Sequence, residues 1–330
     1  MKRPVSVRVA AVLVASLALL GAACSGSATS HNNKGVELSN QGKWTEAIAE
    51  LDRAIEIDPN DAKAYNNRGY AYRELGQYEQ AFADLDKAIA LDPGYATAYD
   101  NRGVTYSEMG HYGADAGQYE QAIADFDKAI EIEPNDAGTY NNRGLTYSRM
   151  EQYEQAIADF DKAIEIDPTL SKTYDSRAGA YSGLEQPEQA LADWAKAIEL
   201  DPDNAAAYHN RGVAYNNMER YVEAIADFDK AIEVFPKDPE NSQADLAQLY
   251  RNRGMSYSNT GFDDPAIADF DKAIEIAPNW AQPYYDRART YKSLGNREKA
   301  MADFKKALSL AGDNADFATM VQQALDNYSD

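Results

Sequence analysis

One short sequence recurs along this chain of 330 residues. Asn66-Asn67-Arg68-Gly69 returns as Asn141-Asn142-Arg143-Gly144, and Asn-Arg-Gly occurs at 101–103, 210–212 and 252–254. The copies are 34 residues apart wherever nothing is inserted, and we number them repeats 1 to 8 by their glycine column: Gly35, Gly69, Gly103, Gly144, Ala178, Gly212, Gly254 and Ala288. A fixed period of this length indicates stacked supersecondary units, each of which buries its apolar face against its neighbours.

Each repeat is predicted to form two helices. In repeat 2, Tyr65, Gly69 and Tyr72 share one face of a first helix, and the apolar residues of 78–89 follow the spacing of an amphipathic second helix. Asp92-Pro93 then ends the second helix, because proline cannot continue it. A helical glycine costs about 1 kcal/mol relative to alanine. The recurrence of glycine at the Gly69 position therefore predicts that the two helices pack closely there.

Larger side chains recur opposite the small ones. The aromatic column is Phe126, Phe160, Trp194, Phe228, Phe270 and Phe304. The pattern Tyr-x-x-x-Gly-x-x-Tyr, then Ala-x-x-x-Phe-x-x-Ala and a closing Pro, resembles the tetratricopeptide repeat (TPR). The resemblance implies an all-α solenoid, a right-handed superhelix of about eight helix-turn-helix units whose first helices line a concave groove. It also implies protein or peptide partners.

The repeats and their interruptions define the domain organisation. We predict a signal peptide (1–23), a tether (24–30), repeats 1 to 6 (28–238), an insertion (239–246), repeats 7 and 8 (247–314) and a capping helix (315–330). A further insertion, near 111–118, is expected to lengthen the loop within repeat 3. Asn241 or Ser242 is expected to cap an extended first helix in repeat 7. Both insertions are open to two interpretations, tolerated loop growth or contact with a partner.

The N-terminal segment has the pattern of an export signal. Basic residues precede an apolar run from Val9 to Leu20 that is too short to span a bilayer. The sequence Leu20-Gly21-Ala22-Ala23-Cys24 resembles the lipobox of bacterial lipoproteins, which implies a lipid attached to Cys24 and an anchor in the cell membrane or the outer membrane. The alternative is an ordinary signal cleaved near Ala23, which would leave a soluble secreted or periplasmic protein.

Charge and composition exclude several functions. With 54 acidic and 32 basic side chains the chain has a net charge of −22, which would repel phosphates. We therefore expect no nucleic acid ligand, and membrane contact only through the lipid anchor. One cysteine cannot form a disulfide within the chain, and the three histidines lie in different repeats, so no zinc-type ligand cluster is expected. We predict no enzyme, no metal and no cofactor; the oligomeric state stays open.

Two charged columns are predicted to be structural. The cationic column is Lys34, Arg68, Arg102, Arg143, Arg177, Arg211, Arg253 and Arg287. The acidic column is Asp84, Asp125, Asp159, Asp193, Asp227, Asp269 and Asp303. We expect the arginines to pair with these aspartates and to cover the packed rings with their stems.

The face of the first helix opposite the core is predicted to line the groove. At 100° per residue this face holds the columns of Lys63, Asn66, Asn67, Tyr70, Arg73 and Glu74. Over eight repeats these columns contain seven cations and five acids, although the whole chain is acidic. We predict that a partner segment contacts the following lining residues: Lys63, Asn66, Asn67, Tyr70, Arg73, Asn101, Asn142, Arg149, Asn210, Arg251, Asn252, Arg289 and Lys292.

Within this lining, one column is rich in asparagine. It reads Asn33, Asn67, Asn101, Asn142, Ser176, Asn210, Asn252 and Asp286, and we call it the ladder column. It resembles the asparagine ladder of the repeat superhelix of O-linked N-acetylglucosamine transferase, which implies hydrogen bonds to the backbone of an extended polypeptide. The alternative is that these asparagines bond to neighbouring helices. Arg289 and Lys292 are the one cation pair that could form a carboxylate clamp.

The predicted function is a non-enzymatic adaptor, anchored in the bacterial envelope, that binds a protein segment in the groove. The alternatives are an envelope assembly factor that acts through its convex and end surfaces, and a structural scaffold without a groove ligand.

Overall fold

The computed structural model describes residues 27–113, 116–235 and 243–329, so the predicted signal peptide and Cys24 lie outside the described residues. The described part of the chain contains 17 helices and no strand, which confirms the predicted all-α class. The helices are α1 (27–40), α2 (Trp44–Ile57), α3 (Ala62–Glu74), α4 (Tyr78–Leu91), α5 (Ala96–Gly113), α6 (Ala116–Ile132), α7 (Ala137–Arg149), α8 (Tyr153–Ile166), α9 (Ser171–Gly183), α10 (Pro187–Leu200), α11 (Ala205–Asn217), α12 (Tyr221–Val234), α13 (Gln243–Asn259), α14 (Asp263–Ile276), α15 (Ala281–Ser293), α16 (Arg297–Leu310) and α17 (Ala315–Ser329). None of these helices is both long and apolar enough to cross a membrane.

The chain divides into two compact halves, an N-terminal half that ends at Pro168 and a C-terminal half that begins at Thr169. Within each half, the first helices from α3 onward pack against their own second helices and against the first helix of the next repeat. This is the packing of a helical solenoid, as predicted. In the C-terminal half, α17 covers the open end of repeat 8, where Val321 and Leu325 join the cluster around Phe304.

The glycines of this column let the two helices of a repeat pack closely. This agrees with the prediction drawn from the cost of a helical glycine. A Cβ atom on Gly144 would lie 2.7 Å from Cε1 of Phe160, and one on Gly69 would lie 2.9 Å from Cγ of Leu85. Real Cβ atoms do not approach other atoms this closely, so no larger residue fits without displacing the side chain opposite. The rings that fill this gap are fully buried at Phe126, Phe160, Phe228, Phe270 and Phe304.

The arginine column joins consecutive repeats. Nε and Nη2 of Arg68 both donate to Asp84 of the same repeat at 2.7 Å, and Nη1 donates to Asp52 on the second helix of the preceding repeat. The guanidinium also lies 5.6 Å from the ring of Tyr65 and 5.8 Å from that of Tyr72. The same fork binds the repeat's own aspartate at Arg102, Arg143, Arg177, Arg211, Arg253 and Arg287. The predicted pairing is confirmed.

Three predicted boundaries differ from the structure. The insertion in repeat 3 extends both helices, so that α5 has 18 residues and α6 has 17, where the helices of repeat 2 have 13 and 14. The prediction of a longer loop there was wrong, because continued helix adds a backbone hydrogen bond per residue. Residues 27–30 of the predicted tether are helical, and Ala28 is buried. Residues 243–246 of the second insertion begin α13, while the predicted cap residues Asn241 and Ser242 lie outside the described residues.

Candidate functional site

The ladder column forms hydrogen bonds between successive first helices. Nδ2 of Asn67 donates to Oδ1 of Asn32 at 2.9 Å, and Nδ2 of Asn101 donates to Oδ1 of Asn66 at 2.9 Å. In both cases the acceptor lies one residue before the ladder position of the preceding repeat. The equivalent pairs are Asn142 with Asp100 (3.1 Å), Asn210 with Asp175 (3.2 Å) and Asn252 with His209 (2.9 Å). The structure therefore favours the alternative to peptide binding for the amide donors. These donors bond to neighbouring helices and hold them together.

In the N-terminal half these bonds form a continuous chain. Asn101 donates to Asn66, Nδ2 of Asn66 donates to Oδ1 of Asn67 at 3.3 Å, and Asn67 donates to Asn32. Asn66 is only 3% exposed, so this predicted groove residue is not available to a partner. By contrast, Oδ1 of Asn101 and of Asn142 takes part in none of the hydrogen bonds between described residues, and both side chains are half-buried.

The predicted groove cations of the N-terminal half mostly have partners. The Arg73 side chain is 9% exposed, and its guanidinium lies 4.7 Å from the ring of Tyr70. It donates to Glu74 and lies 3.8 Å from Glu108. Burial raises the pKa of Glu108, and the charge of Arg73 opposes that rise. Glu74 and Glu108 largely neutralise Arg73. The excess of cations counted over the lining columns therefore does not make this position strongly positive.

Two further cations of this half are exposed. Lys63 lies in the first turn of α3, and Arg149 lies at the end of α7, where its Nη1 donates to Oγ of Ser107 at 2.8 Å. Both remain accessible to an acidic or polar partner.

In the C-terminal half the predicted cations are also engaged. Nε of Arg251 donates to buried Asp286 at 2.6 Å, and its guanidinium lies 5.5 Å from the ring of Trp280. Arg289 is exposed beside Tyr285, and Nζ of Lys292 lies 5.0 Å from the ring of Tyr328 on α17. Lys292 thus contacts the end of the capping helix, an arrangement that gives no support to a two-cation clamp with Arg289.

A cavity of about 510 Å³ opens among α9, α11 and α13 of the C-terminal half. Its lining includes residues from all six of the predicted groove columns. The columns of Lys63, Asn66, Asn67, Tyr70, Arg73 and Glu74 are represented by Gln248, His209, Asn210, Val213, Asn216 and Asn217, respectively. The predicted lining columns thus surround a cavity that the sequence did not predict.

Gly179 accounts for the cavity. It stands in the column of Tyr70, which is otherwise occupied by Val36, Tyr70, Val104, Leu145, Val213, Met255 and Arg289. A Cβ atom added to Gly179 would meet no atom within 4 Å. Trp194 borders the space and is held by a hydrogen bond from Nε1 to Oδ1 of Asp175 at 2.9 Å. The sequence signal for this cavity was a glycine in a column where all the other repeats have a side chain.

Asp100, an acid of the N-terminal half, is expected to make the stability of the fold depend on pH. Burial raises the pKa of Asp100, and the hydrogen bond from Asn142 offsets this only in part. The folded state therefore binds the proton more tightly, so this group's contribution to stability falls as pH rises from 3.8, the ordinary value, through the raised pKa. Repeats 1 and 2 have asparagine, Asn32 and Asn66, at the same position.

We expect Asp100→Asn to raise the free energy of unfolding at pH 7 and to reduce its decline between pH 4 and pH 7. Urea unfolding at several pH values checks this, with the wild type as reference for all the other acids. Parallel pH profiles for the two proteins would show that Asp100 carries no such penalty.

Several stretches of the chain match family models. A model described as TPR repeat matches residues 37–76, 69–110, 114–151 and 180–219. Two models described as tetratricopeptide repeat match 137–170 and 205–238, and 247–279 and 281–314. Comparison with curated proteins gave no match.

Solved structures with a similar arrangement include three that cover much of the chain. YrrB, reported as a TPR protein with an unusual peptide-binding site, is 27% identical with a TM-score of 0.50, over 60% of this chain and 97% of YrrB. TTC0263, a thermophilic TPR protein of Thermus thermophilus, is 24% identical with a TM-score of 0.52, over 57% of this chain and 98% of its own. The APC/C hetero-tetramer Cut9-Hcn1 is 17% identical with a TM-score of 0.62, over 87% of this chain and 53% of that one. The last two likenesses concern the fold alone.

Proposed function

Because this chain belongs to the tetratricopeptide repeat family, whose members are scaffolds for protein interactions, we propose that it binds an extended segment of a partner protein on the lining face of its first helices. The observation that carries the proposal is the cavity in the C-terminal half, where residues of all six groove columns meet around an open space. The protein would act as a non-enzymatic adaptor. The 27% identity to YrrB, a protein reported to have a peptide-binding site, supports this proposal.

The ladder would contribute oxygen acceptors rather than amide donors. In the proposal, Oδ1 of Asn101, Asn142 and Asn210 accepts N–H groups of the bound segment, while each Nδ2 stays bonded to the preceding repeat. An extended backbone offers N–H groups as readily as carbonyls. The same side chain can therefore bond to the preceding repeat through its Nδ2 and contact a partner through its Oδ1.

We place the adaptor in the bacterial envelope on the strength of its N-terminal sequence. A lipid on Cys24 would anchor it, and the net charge of −22 would keep the rest of the chain away from anionic lipid. Cell fractionation tests the anchor: Cys24→Ser should move the protein from the membrane fraction to the soluble one. An unchanged distribution would contradict lipid anchoring.

Site-specific photo-crosslinking tests the groove. A photo-reactive residue replaces exposed Lys63, Arg149 or Lys292 in turn, and the control positions are exposed Glu131 and Glu165 on second helices. We expect each of the three groove positions, and neither control, to crosslink a client segment that mass spectrometry identifies. A synthetic peptide of that segment should then bind the purified chain.

A second candidate function rests on a different surface. Val222, Phe262 and Leu294 are 71%, 59% and 50% exposed, and they lie at or next to the turns between the two helices of repeats 6, 7 and 8. An assembly factor could use this apolar edge. Crosslinks that form only from Phe262, and from none of the groove positions, would favour this function over groove binding.

A further inference from the structure

The Gly179 pocket, defined by Gly179, Trp194, Val213, Asn210, Gln248 and Met255, is uncharged. None of the residues that line it is Lys, Arg, Asp or Glu. Its one titratable group is His209, whose pKa burial lowers, so the imidazole is neutral at pH 7. A charged side chain would lose part of its hydration here and would find no counter-charge in the lining, because the nearby carboxylate of Asp175 already accepts hydrogen bonds from Trp194 and Asn210. The occupant is therefore neutral.

The pocket is apolar on one side and polar on the other. Trp194 borders it at 3% exposure, and Val213, Ala214 and Met255 add aliphatic and thioether surface. Its polar lining includes the carboxamides of Asn210, Asn217 and Gln248. A side chain that fits has an apolar body with one polar tip, as tyrosine and tryptophan do. Methionine sulfur also makes favourable contacts with aromatic rings.

The size of the cavity further restricts which side chain can fill it. The cavity of about 510 Å³ is open on one side, and an alanine or valine would leave most of it filled with water. An aromatic side chain buries 150–250 Å² of surface, roughly twice what a small aliphatic group can.

We propose that the Gly179 pocket binds a tyrosine or tryptophan side chain of the extended partner segment and so determines which segments bind. This inference rests on the proposed groove-binding function and deepens it. The polar tip would bond to the carboxamides of Asn217 and Gln248, because Oδ1 of Asn210 is assigned to the backbone of the segment. The glycine is required because a leucine, which the same column has at Leu145, would occupy the space that the ring needs.

The test uses a series of nine-residue Gly/Ser peptides that differ only in the central residue, which is Tyr, Trp, Leu, Ala, Lys or Glu. Binding to the full chain is followed by NMR of the Val213 and Met255 methyl groups and the Trp194 indole. We expect the Tyr and Trp peptides to bind about tenfold or more tightly than the Ala peptide, as burial of an aromatic ring predicts.

The Gly179→Leu variant should reduce this preference to less than twofold. Its melting temperature should be equal or higher, because leucine is the better helix former and a Cβ atom at this position meets no atom within 4 Å. A loss of binding therefore cannot be attributed to unfolding. The matched control is Val36→Leu, in the same column of repeat 1, which should leave the preference unchanged.

The possible outcomes separate this inference from the proposed function. A preference for Leu over Tyr and Trp, equal binding of all peptides, or a preference that survives Gly179→Leu would overturn the pocket assignment while groove binding stands. The same holds if no peptide binds although the groove positions crosslink a client. If no peptide binds and no groove position crosslinks, both proposals are wrong.

Discussion

Replacing Arg143 by alanine is expected to lower the free energy of unfolding by about 3–5 kcal/mol, the usual cost of removing one partner from a buried ion pair. Nε and Nη2 of Arg143 donate to Asp159 at 2.8 and 2.6 Å, and Nη1 donates to Asp127 on the second helix of the preceding repeat. The alanine variant leaves Asp159, which is 6% exposed, without its counter-charge. It also removes a connection between repeats 3 and 4.

Chemical denaturation followed by circular dichroism and by hydrogen exchange measures this loss. The matched control is Lys162→Ala, which removes an exposed pair with Glu165 and should change stability by less than about 0.5 kcal/mol. Arg143→Lys should recover only part of the loss, because an ammonium cannot form the two-pronged contact. Equal effects of Arg143→Ala and Lys162→Ala would show that the arginine column is not structural.

The triple variant Asn67→Ala, Asn101→Ala and Asn142→Ala is expected to lose about 2–7 kcal/mol of stability. It removes the asparagine donors from the oxygens of Asn32, Asn66 and Asp100, at about 1–3 kcal/mol for each group left unpaired. The better helix propensity of alanine returns roughly 0.5 kcal/mol per site. Stability and groove binding should therefore fall together.

The control for this variant is Ser176→Ala at the ladder position of repeat 5. The Ser176 hydroxyl donates to the carbonyl of Lys172 in its own helix, so its removal should leave stability nearly unchanged. Thermal unfolding and client capture are measured on the same samples. Unchanged melting of the triple variant with loss of the client would restore backbone binding as the main role of these amides.

Periodicity explains how much of the fold could be predicted from the sequence. Glycine, alanine and aromatic columns recur because the same helix pair is built eight times, and the arginine and aspartate columns recur because each repeat forms the same fork. Such contacts depend on residues at fixed spacing within one repeat. Any one copy is therefore informative about the others.

Contacts between neighbouring first helices could not be predicted in the same way. Helical angles placed Asn66 and Asn67 on the lining face but did not reveal that Asn101 would donate to Asn66, because partners across an interface depend on how two helices are aligned. The Gly179 pocket depends on a missing side chain, and local patterns describe the residues that are present. Gly110 and Gly117 favour a turn by local propensity, yet both lie inside the lengthened helices α5 and α6.

The lengthened helices of repeat 3 leave its interfaces intact. Arg102 binds Asp125 across 23 residues at 2.7 Å, as Arg68 binds Asp84 across 16 at the same distance. Likewise, Asn142 reaches Asp100 across 42 residues, where pairs without an insertion, such as Asn67 with Asn32, need 35. Residues added at the turn thus project from the edge without disturbing contacts deeper in the stack. Evolution, or a protein engineer, can vary the height of that edge from one repeat to the next without redesigning the layers beneath it.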